Sequence, residues 1–258
     1  MQQTTNQSPP ILSLKDLSKT YRSREGDVKA LADLSLDLER GEIIGILGPN
    51  GAGKTTAVKL IMGFIKASNG HIIFDHKELK AAETRPHFGY LPESFRPNPN
   101  LTVSEYITMQ YNLTQSAAVK SSRRETGQKV TALLNQVGMT SFSGRRIAKL
   151  SKGMGQRVGI AQAIAGNPEL LILDEPTSGL DPIGKSEVID LLLNLKKEGK
   201  TILFCSHILA EVERLCDRIG IIVGGNLRFL GKVDDFLAQH EADNLDQGFK
   251  QEVKCATS

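Results

Sequence analysis

Eight residues from Gly48 to Thr55 carry the clearest chemistry in the sequence, because they match the pattern G-x-x-x-x-G-K-[ST]. Glycines let successive backbone amides turn toward an anion, and a following helix adds the positive end of its dipole. We therefore expect Lys54 to contact the β- and γ-phosphates of a nucleotide, Thr55 to ligate Mg²⁺, and Thr56 to lie near the α-phosphate. The candidate phosphate contacts of the loop are Gly48, Pro49, Asn50, Gly51, Ala52, Gly53, Lys54 and Thr55.

Two acids, Asp174 and Glu175, end the apolar run Leu170–Leu173. Such a run is typical of a strand buried on both faces, and ligands bind at the carboxyl ends of parallel strands. We expect Asp174 to hold Mg²⁺, directly or through water, and Glu175 to act as the base that polarises an attacking water. An apolar strand followed by Asp-Glu is common, so the pair gains its meaning from the phosphate loop upstream.

The elements around these residues predict an α/β domain with a mostly parallel sheet. Residues 43–47 form a buried strand before the loop, and a helix after the loop ends near residues 64–65. Residues 11–39 predict two antiparallel strands joined by a turn at residues 23–27. Downstream, we predict strands at 71–75, 170–173, 201–205 and 218–223, and helices at 183–198 and 208–216.

The middle of the chain is mostly helical in pattern. Thr102 and Glu105 have the spacing of a capping box, in which each residue satisfies a free amide of the other at a helix start. The apolar residues between 130 and 137 recur on one helical face. We predict a helical subdomain at about residues 95–166, inserted into an α/β domain spanning residues 11–238. A disordered leader at 1–10 and a polar, fraying tail at 239–258 flank that domain.

Composition narrows the possible partners. The net charge of +3, from 32 basic and 29 acidic residues, is too small to indicate a nucleic-acid partner. Cys205, Cys216 and Cys255 lack the spacing of a zinc site or a disulfide framework, which favours reduced thiols. The first ten residues lack the apolar core of a signal peptide, and no run of about 18 apolar residues occurs. A membrane would therefore be reached through a partner.

Further segments resemble, in order, the motifs of the ATP-binding-cassette (ABC) family. Leu150–Arg157 is similar to the signature motif, usually Leu-Ser-Gly-Gly-Gln, and Asp174–Asp181 resembles the acidic strand and the D-loop. His207 matches the switch histidine, and Tyr21 the aromatic residue that stacks on adenine. Taken singly, His207 also fits a loop histidine and Tyr21 a core aromatic. The resemblance covers about residues 11–237.

This resemblance implies a P-loop NTPase fold, ATP and Mg²⁺ as cofactors, and an ATPase activity that includes Glu175 and His207 among its catalytic residues. It implies that Ser151 and Gly153 contact the γ-phosphate of an ATP held by a second subunit, either the same chain or a homologue. Two ATP molecules would then lie between two subunits. It further implies an integral membrane permease as partner and a peripheral location at the cytoplasmic face of the cell membrane.

Two positions depart from the family pattern. Glu93 stands where the family has the Q-loop glutamine, and this variant is similar to exporter-like, ABC-2-type ATPases. A carboxylate can coordinate Mg²⁺ or water, so we expect Glu93 to act as a catalytic and metal-binding residue, but it cannot donate an amide hydrogen bond. Lys152 replaces a signature glycine, which restricts the backbone there and leaves Ser151 and Gly153 as the phosphate contacts.

Three functional classes fit these motifs to different degrees. The leading hypothesis is the ATPase of a membrane transporter. The alternative is an ABC ATPase that drives a non-transport, membrane-anchored machine such as a cell-envelope regulator. A soluble ABC protein of translation or DNA repair is disfavoured, because a second cassette and a long coiled coil do not occur in the sequence. The transported substrate is not readable, since substrates contact the permease.

Overall fold

The computed structural model describes residues 9–24, 26–83, 85, 87–115 and 122–257. The chain divides into two units, residues 1–84 with 216–258 and residues 85–215. Most of the predicted leader, residues 1–8, lies outside the described residues, as does Glu25 of the predicted turn.

Ten strands and eight α-helices are assigned within the described residues. In chain order they are β1 (Leu12–Tyr21), β2 (Val28–Leu38), β3 (Ile43–Leu47), α1 (Lys54–Ile61), β4 (Asn69–Phe74), β5 (Lys77–Glu78), β6 (Phe88–Leu91), α2 (Val103–Thr114), α3 (Arg123–Gln136), α4 (Lys152–Ile164), β7 (Leu170–Asp174), α5 (Pro182–Lys197), β8 (Thr201–Ser206), α6 (Leu209–Leu215), β9 (Arg218–Val223), β10 (Asn226–Gly231), α7 (Val233–Gln239) and α8 (Leu245–Thr257).

The strands of the first unit follow the order β5-β4-β1-β2-β10-β9-β3. β1 pairs antiparallel with both β2 and β4, which confirms the predicted N-terminal antiparallel subdomain. β3 pairs parallel with β9, and β10 joins β9 antiparallel. All five residues of β3 are buried, as its unbroken apolar run predicts. This arrangement places a covered strand directly before the phosphate loop.

The second unit contains the parallel strands β6, β7 and β8, with β7 in the middle. Every residue of β7 and β8 is buried, so both strands are covered on both faces. The helices α2, α3 and α4 pack on one another and lie within the range predicted for the helical insertion. Residues 116–121, between α2 and α3, lie outside the described residues. The capping box of Thr102 and Glu105 is present at the start of α2, as predicted.

Two element boundaries differ from the prediction. The helix after the phosphate loop ends at Ile61 rather than near residues 64–65, because Gly63 takes a φ of 75° that ends a right-handed helix. The tail that we expected to fray contains α8, whose Leu245 is fully buried and whose Gly248 packs closely on Phe236 of α7. His240 and Glu252 add a hydrogen bond with 2.8 Å between Nε2 and Oε2. Packing against α7 therefore stabilises a segment that is polar in composition.

The described helices, α1 to α8, are at most 16 residues long. None of them is both long enough and apolar enough to span a bilayer.

Candidate functional site

The phosphate loop connects the end of β3 to the start of α1 in the first unit. A methyl group on Gly48 would collide with the backbone carbonyl of Ile222, so the loop leaves β3 in close contact with β9. Gly53, the residue before α1, has a φ of 113°, and a Cβ there would collide with the carbonyl of Ala30. Both positions therefore require glycine, for close approach and for backbone conformation respectively. The result is a tight turn that ends at a helix N-terminus, the arrangement that binds anions.

The Lys54 side chain is folded back along the loop. Its Nζ donates to the carbonyl of Gly48 at 2.6 Å and lies 3.3 Å from that of Pro49. The residue is buried, and an ammonium in such a position needs acceptors to compensate its charge. Thr55 is exposed at the start of α1, and Thr56 is half-buried. The loop thus holds a cation close to its own backbone and presents a hydroxyl at the surface.

Tyr21 ends β1 at the edge of the same unit. It pairs in register with Val28, the first residue of β2. Tyr21 and Val28 are 40% and 60% exposed, so the strand ends present an apolar surface. Ala30, two residues further along β2, contacts Gly53 through its carbonyl. The predicted adenine platform and the phosphate loop are therefore neighbouring features of one unit. Tyr21 lies beneath the ammonium of Lys19, with 5.2 Å from Nζ to the ring centroid.

The second unit collects its polar residues at one edge, where β6, β7 and β8 end. The three parallel strands finish level with one another in register. Asp174 is the last residue of β7 and Glu175 directly follows it. Glu93 follows β6, and His207 follows β8. Parallel strands bring residues distant in sequence to the same edge. Four of the predicted catalytic and metal-binding residues are therefore close together in this unit.

The side chains of Glu175 and His207 are joined by a hydrogen bond. Their Oε2 and Nδ1 atoms lie 2.8 Å apart. A carboxylate only accepts, so Nδ1 carries the proton, and Nε2 lies on the other side of a ring that is half exposed. Glu175 is 6% exposed and has a φ of 53°, which is rare for a residue with a side chain. A backbone outlier beside polar groups is typical of functional sites.

Tyr90 of β6 is a neighbour of this edge that the sequence analysis missed. Burial raises the pKa of its hydroxyl to about 12. The charge of Asp174 contributes next, followed by those of Cys205 and Glu93. Tyr90 therefore stays neutral at physiological pH, and its environment shows that the carboxylates of Asp174 and Glu93 share one neighbourhood.

The sequence also provides no indication of a buried hydrogen-bond network next to the ends of β7 and β8. Thr177 donates a hydrogen bond from Oγ1 to Oε2 of Glu211, and the Ser206 hydroxyl lies 3.5 Å from the same oxygen. Thr177 and Ser206 are fully buried, and Glu211 is 7% exposed. No motif spacing indicates a partner for Glu211, because the three residues come from different elements.

The signature segment begins α4. Ser151 is the N-cap residue, and its Oγ accepts from the amide of Met154 at 3.3 Å. A serine hydroxyl that accepts from a helix amide keeps its own proton for donation. Ser151 is exposed and, with Gly153, borders a surface cavity of about 580 Å³. The geometry thus leaves the Ser151 hydroxyl accessible to a ligand outside this unit.

Lys152 lies across the D-loop. Its side chain covers Gly179, so that a methyl group at Gly179 would collide with the lysine. Gly179 has a φ of 67°, a conformation that favours glycine, whereas the flexible end of the Lys152 side chain could move aside. The substitution of glycine by Lys152 predicts an effect on the signature backbone. In the structure, Lys152 also connects the signature segment with the loop after Glu175.

Comparison with known proteins agrees with this geometry. Residues 31–178 match the family described as ABC transporter. An uncharacterised ABC transporter ATP-binding protein of Synechocystis is 39% identical, over 91% of this chain and 68% of its own length. The lantibiotic transport ATP-binding protein SrtF of Streptococcus pyogenes is 34% identical, over 94% of this chain and 97% of its own length.

A solved structure is similar over most of the chain. The ATP-binding cassette MJ0796, a dimer in a post-hydrolysis state bound to ADP and Pi, superposes with a TM-score of 0.78 at 26% identity. The superposition covers 86% of this chain and 98% of that one. The match confirms the P-loop NTPase fold expected from the sequence, and the relatives confirm the ABC resemblance. The chain therefore belongs to the ABC transporter family and is an ATP-binding, ATP-hydrolysing subunit that powers transport.

Proposed function

We propose that Glu175 is the general base of ATP hydrolysis in this subunit and that His207 holds it in position. The observation that carries the proposal is the bond of 2.8 Å between His207 Nδ1 and Glu175 Oε2. Because this bond orients the carboxylate, Glu175 accepts a proton from the attacking water without first having to reorient. Nε2 of His207, on the other side of the ring, is the group that contacts the γ-phosphate.

The phosphate loop binds the triphosphate in this proposal. Lys54 exchanges the carbonyls of Gly48 and Pro49, to which it is now close, for β- and γ-phosphate oxygens. Such charge-assisted bonds are stronger than bonds to neutral carbonyls, so the exchange favours nucleotide binding. The amides of Gly48 and of residues 50–53, together with the hydroxyls of Thr55 and Thr56, complete the contacts around Pro49, which has no amide hydrogen to donate. Tyr21 stacks on the adenine from the exposed end of β1.

Magnesium fits the oxygen donors that this chain offers. Among the described residues, no group of three or more His, Cys, Asp or Glu side chains could hold a metal ion. Mg²⁺ does not need such a cage, since it binds one or two carboxylates and completes its shell with water and substrate phosphates. We propose that Asp174, Thr55 and Glu93 hold it. When bound, the ion neutralises charge on the β- and γ-phosphates.

The active form in this proposal is a dimer of two cassettes around two ATP molecules. Ser151 donates to the γ-phosphate of the ATP held by the other subunit, and its exposed position at the start of α4 supports this role. Gly153 offers its amide beside it. The similar cassette MJ0796 is described as a dimer, which supports the same assembly for this chain.

We further propose that the dimer works on an integral membrane permease at the cytoplasmic face of the membrane. The named transport role of the relative SrtF supports a permease as partner. The domain limits of residues 11–238, with the helical insertion at 95–166, remain part of this proposal. The helices α2 to α4 in that insertion are the candidates for passing the movement of the dimer to the permease.

The experiment that tests the proposal uses Glu175→Gln, since an amide cannot take up a proton. ATP turnover should fall by about a hundredfold or more, while ATP affinity stays within about threefold of the unsubstituted chain. Sedimentation should show a stable dimer with ATP and monomers with ADP. Turnover at the original rate would exclude Glu175 as the base. Dimerisation that ADP supports as well as ATP would exclude the γ-phosphate as the contact between subunits.

A further inference from the structure

Glu211 lies at the start of α6 and connects two loops that carry proposed catalytic residues. Thr177, two residues after Glu175, donates to its Oε2. Ser206, which directly precedes His207, lies 3.5 Å from the same oxygen. One carboxylate oxygen therefore meets both the loop after β7 and the end of β8.

The other oxygen of Glu211 faces a cation. Nζ of Lys185, in the first turn of α5, lies 3.4 Å from Oε1. Among the residues that the structure describes, Oε1 accepts no hydrogen bond, so the lysine compensates the charge there. Buried carboxylates are costly unless they are paired, and Glu211 is 7% exposed. The cost indicates that the carboxylate serves more than the packing of α6.

Hydrogen bonds to the backbone restrain the segments around His207 and Glu175. The Ser206 hydroxyl accepts from the amide of Ile208 at 3.0 Å, which holds the backbone on both sides of His207. Glu175 donates its amide to the carbonyl of Cys205 at 2.9 Å and has a left-handed φ of 53°. Such a conformation persists only where the surroundings enforce it. The hydrogen bond from Thr177 to Glu211 fixes the chain two residues after this conformation.

We propose that Glu211 is a positioning residue for hydrolysis: by holding Thr177 and Ser206 on one carboxylate, it fixes the loops that carry Glu175 and His207 at the separation of their mutual hydrogen bond. The proposal rests on the roles proposed above for Glu175 and His207. Glu211 acts through these two residues and makes no contact with ATP. Losing it should slow the chemical step and leave ATP binding as it is.

The test compares three substitutions in the full chain. Glu211→Ala removes the carboxylate and leaves the Thr177 hydroxyl buried without its acceptor, so kcat should fall by about tenfold or more while KM for ATP stays within about twofold. Glu211→Gln keeps an acceptor for Thr177 and should retain kcat within about threefold. Glu213→Ala is the matched control, because Glu213 is exposed on the same helix; it should change neither constant.

A further variant keeps the test valid if Glu211→Ala does not fold. Thr177→Val removes the hydroxyl without changing the size of the side chain, and it should lower kcat about three- to tenfold at unchanged KM. Circular dichroism and thermal unfolding would identify a variant that is merely unstable. If Glu211 acts by positioning, kcat should be higher in Glu211→Gln than in Glu211→Ala, because the glutamine oxygen can still accept the hydrogen bond of Thr177.

The positioning role of Glu211 would be excluded if kcat were unchanged in both Glu211→Ala and Thr177→Val. It would also be excluded if kcat fell and KM for ATP rose by the same factor. A kcat in Glu211→Gln as low as in Glu211→Ala would also contradict it. Failure of the underlying function looks different: in that case Glu175→Gln and His207→Ala would themselves keep their turnover. Loss of turnover in those two with full activity in the Glu211 variants would reject the positioning role alone.

Discussion

In the phosphate loop, eight consecutive residues supply the backbone amides, the cation of Lys54 and the hydroxyl of Thr55. At the carboxyl edge of β6, β7 and β8, by contrast, the groups come from different strands. The loop depends on Gly48 and Gly53, whose lack of a Cβ permits its path. The strand edge depends on side chains that support one another, such as His207 with Glu175 and Thr177 with Glu211.

Binding therefore depends on residues that are adjacent in the sequence, whereas hydrolysis depends on residues that are far apart in it. A backbone site tolerates loss of a distant side chain, because its geometry is local. A network of side chains loses its geometry when a single member leaves. Substitutions in the loop should therefore change affinity for ATP, and substitutions at the strand edge should change turnover. The following predictions test that separation.

The largest effect on affinity is expected for Lys54→Ala. It removes a buried ammonium that would contact two phosphates, so Kd for ATP should rise by about a hundredfold. Lys59→Ala is the matched control, since Lys59 is an exposed lysine on the same helix. Direct titration with a fluorescent ATP analogue measures both. Unchanged affinity in Lys54→Ala would contradict the assignment of the phosphate loop.

Ser151→Ala tests a third kind of effect, because Ser151 belongs neither to the phosphate loop nor to the strand edge of its own subunit. In the Glu175→Gln background, it should weaken ATP-driven dimerisation by about tenfold, the effect of one lost hydrogen bond to a charged group. ATP binding by a single subunit should not change. Sedimentation in ATP and in ADP measures the dimer.

The control for Ser151→Ala must remove a comparable serine cap from another helix of the same unit. Ser122→Ala does so, since Ser122 caps α3 through the amide of Glu125 in the same manner. If Ser122→Ala weakens the dimer as much as Ser151→Ala, the effect is one of helix stability and the signature contact is rejected. Dimerisation of Ser151→Ala at full strength would reject it as well.

Tyr21→Ala should have a smaller effect. Loss of a stacking surface at an exposed strand end should raise Kd for ATP about fivefold and leave kcat nearly unchanged. Calorimetric titration with ATP and with GTP would show whether the lost contact concerns the base. If turnover stops while affinity remains, Tyr21 belongs with the strand edge and not with the binding features.

The smallest effect is expected for Thr102→Ala, because Thr102 belongs neither to the phosphate loop nor to the strand edge. It removes the capping box at the start of α2 and should lower the free energy of unfolding by about 1 kcal/mol. Kd and kcat should not change. Urea unfolding followed by circular dichroism measures the loss; a change in turnover at equal stability would connect α2 to the active site.

Features that depend on local backbone chemistry could be predicted from the sequence. The glycines around Lys54, the covered strand before them and the capping box at Thr102 all follow from conformational preferences within a few residues. The order of the motifs was enough to identify the family. Gly199 also ends α5 with a φ of 83°, as its position after the helical pattern predicts.

Only the tertiary structure decided which distant side chains meet. Thr177 and Glu211 are 34 residues apart and belong to different elements, so no spacing rule connects them. Lys152 and Gly179 are likewise remote in sequence and in contact in the structure. The polar segment of α8 packs on α7 where Gly248 meets Phe236. Local preferences act over a few residues, whereas these contacts arise from the packing of strands and helices, which brings remote positions together.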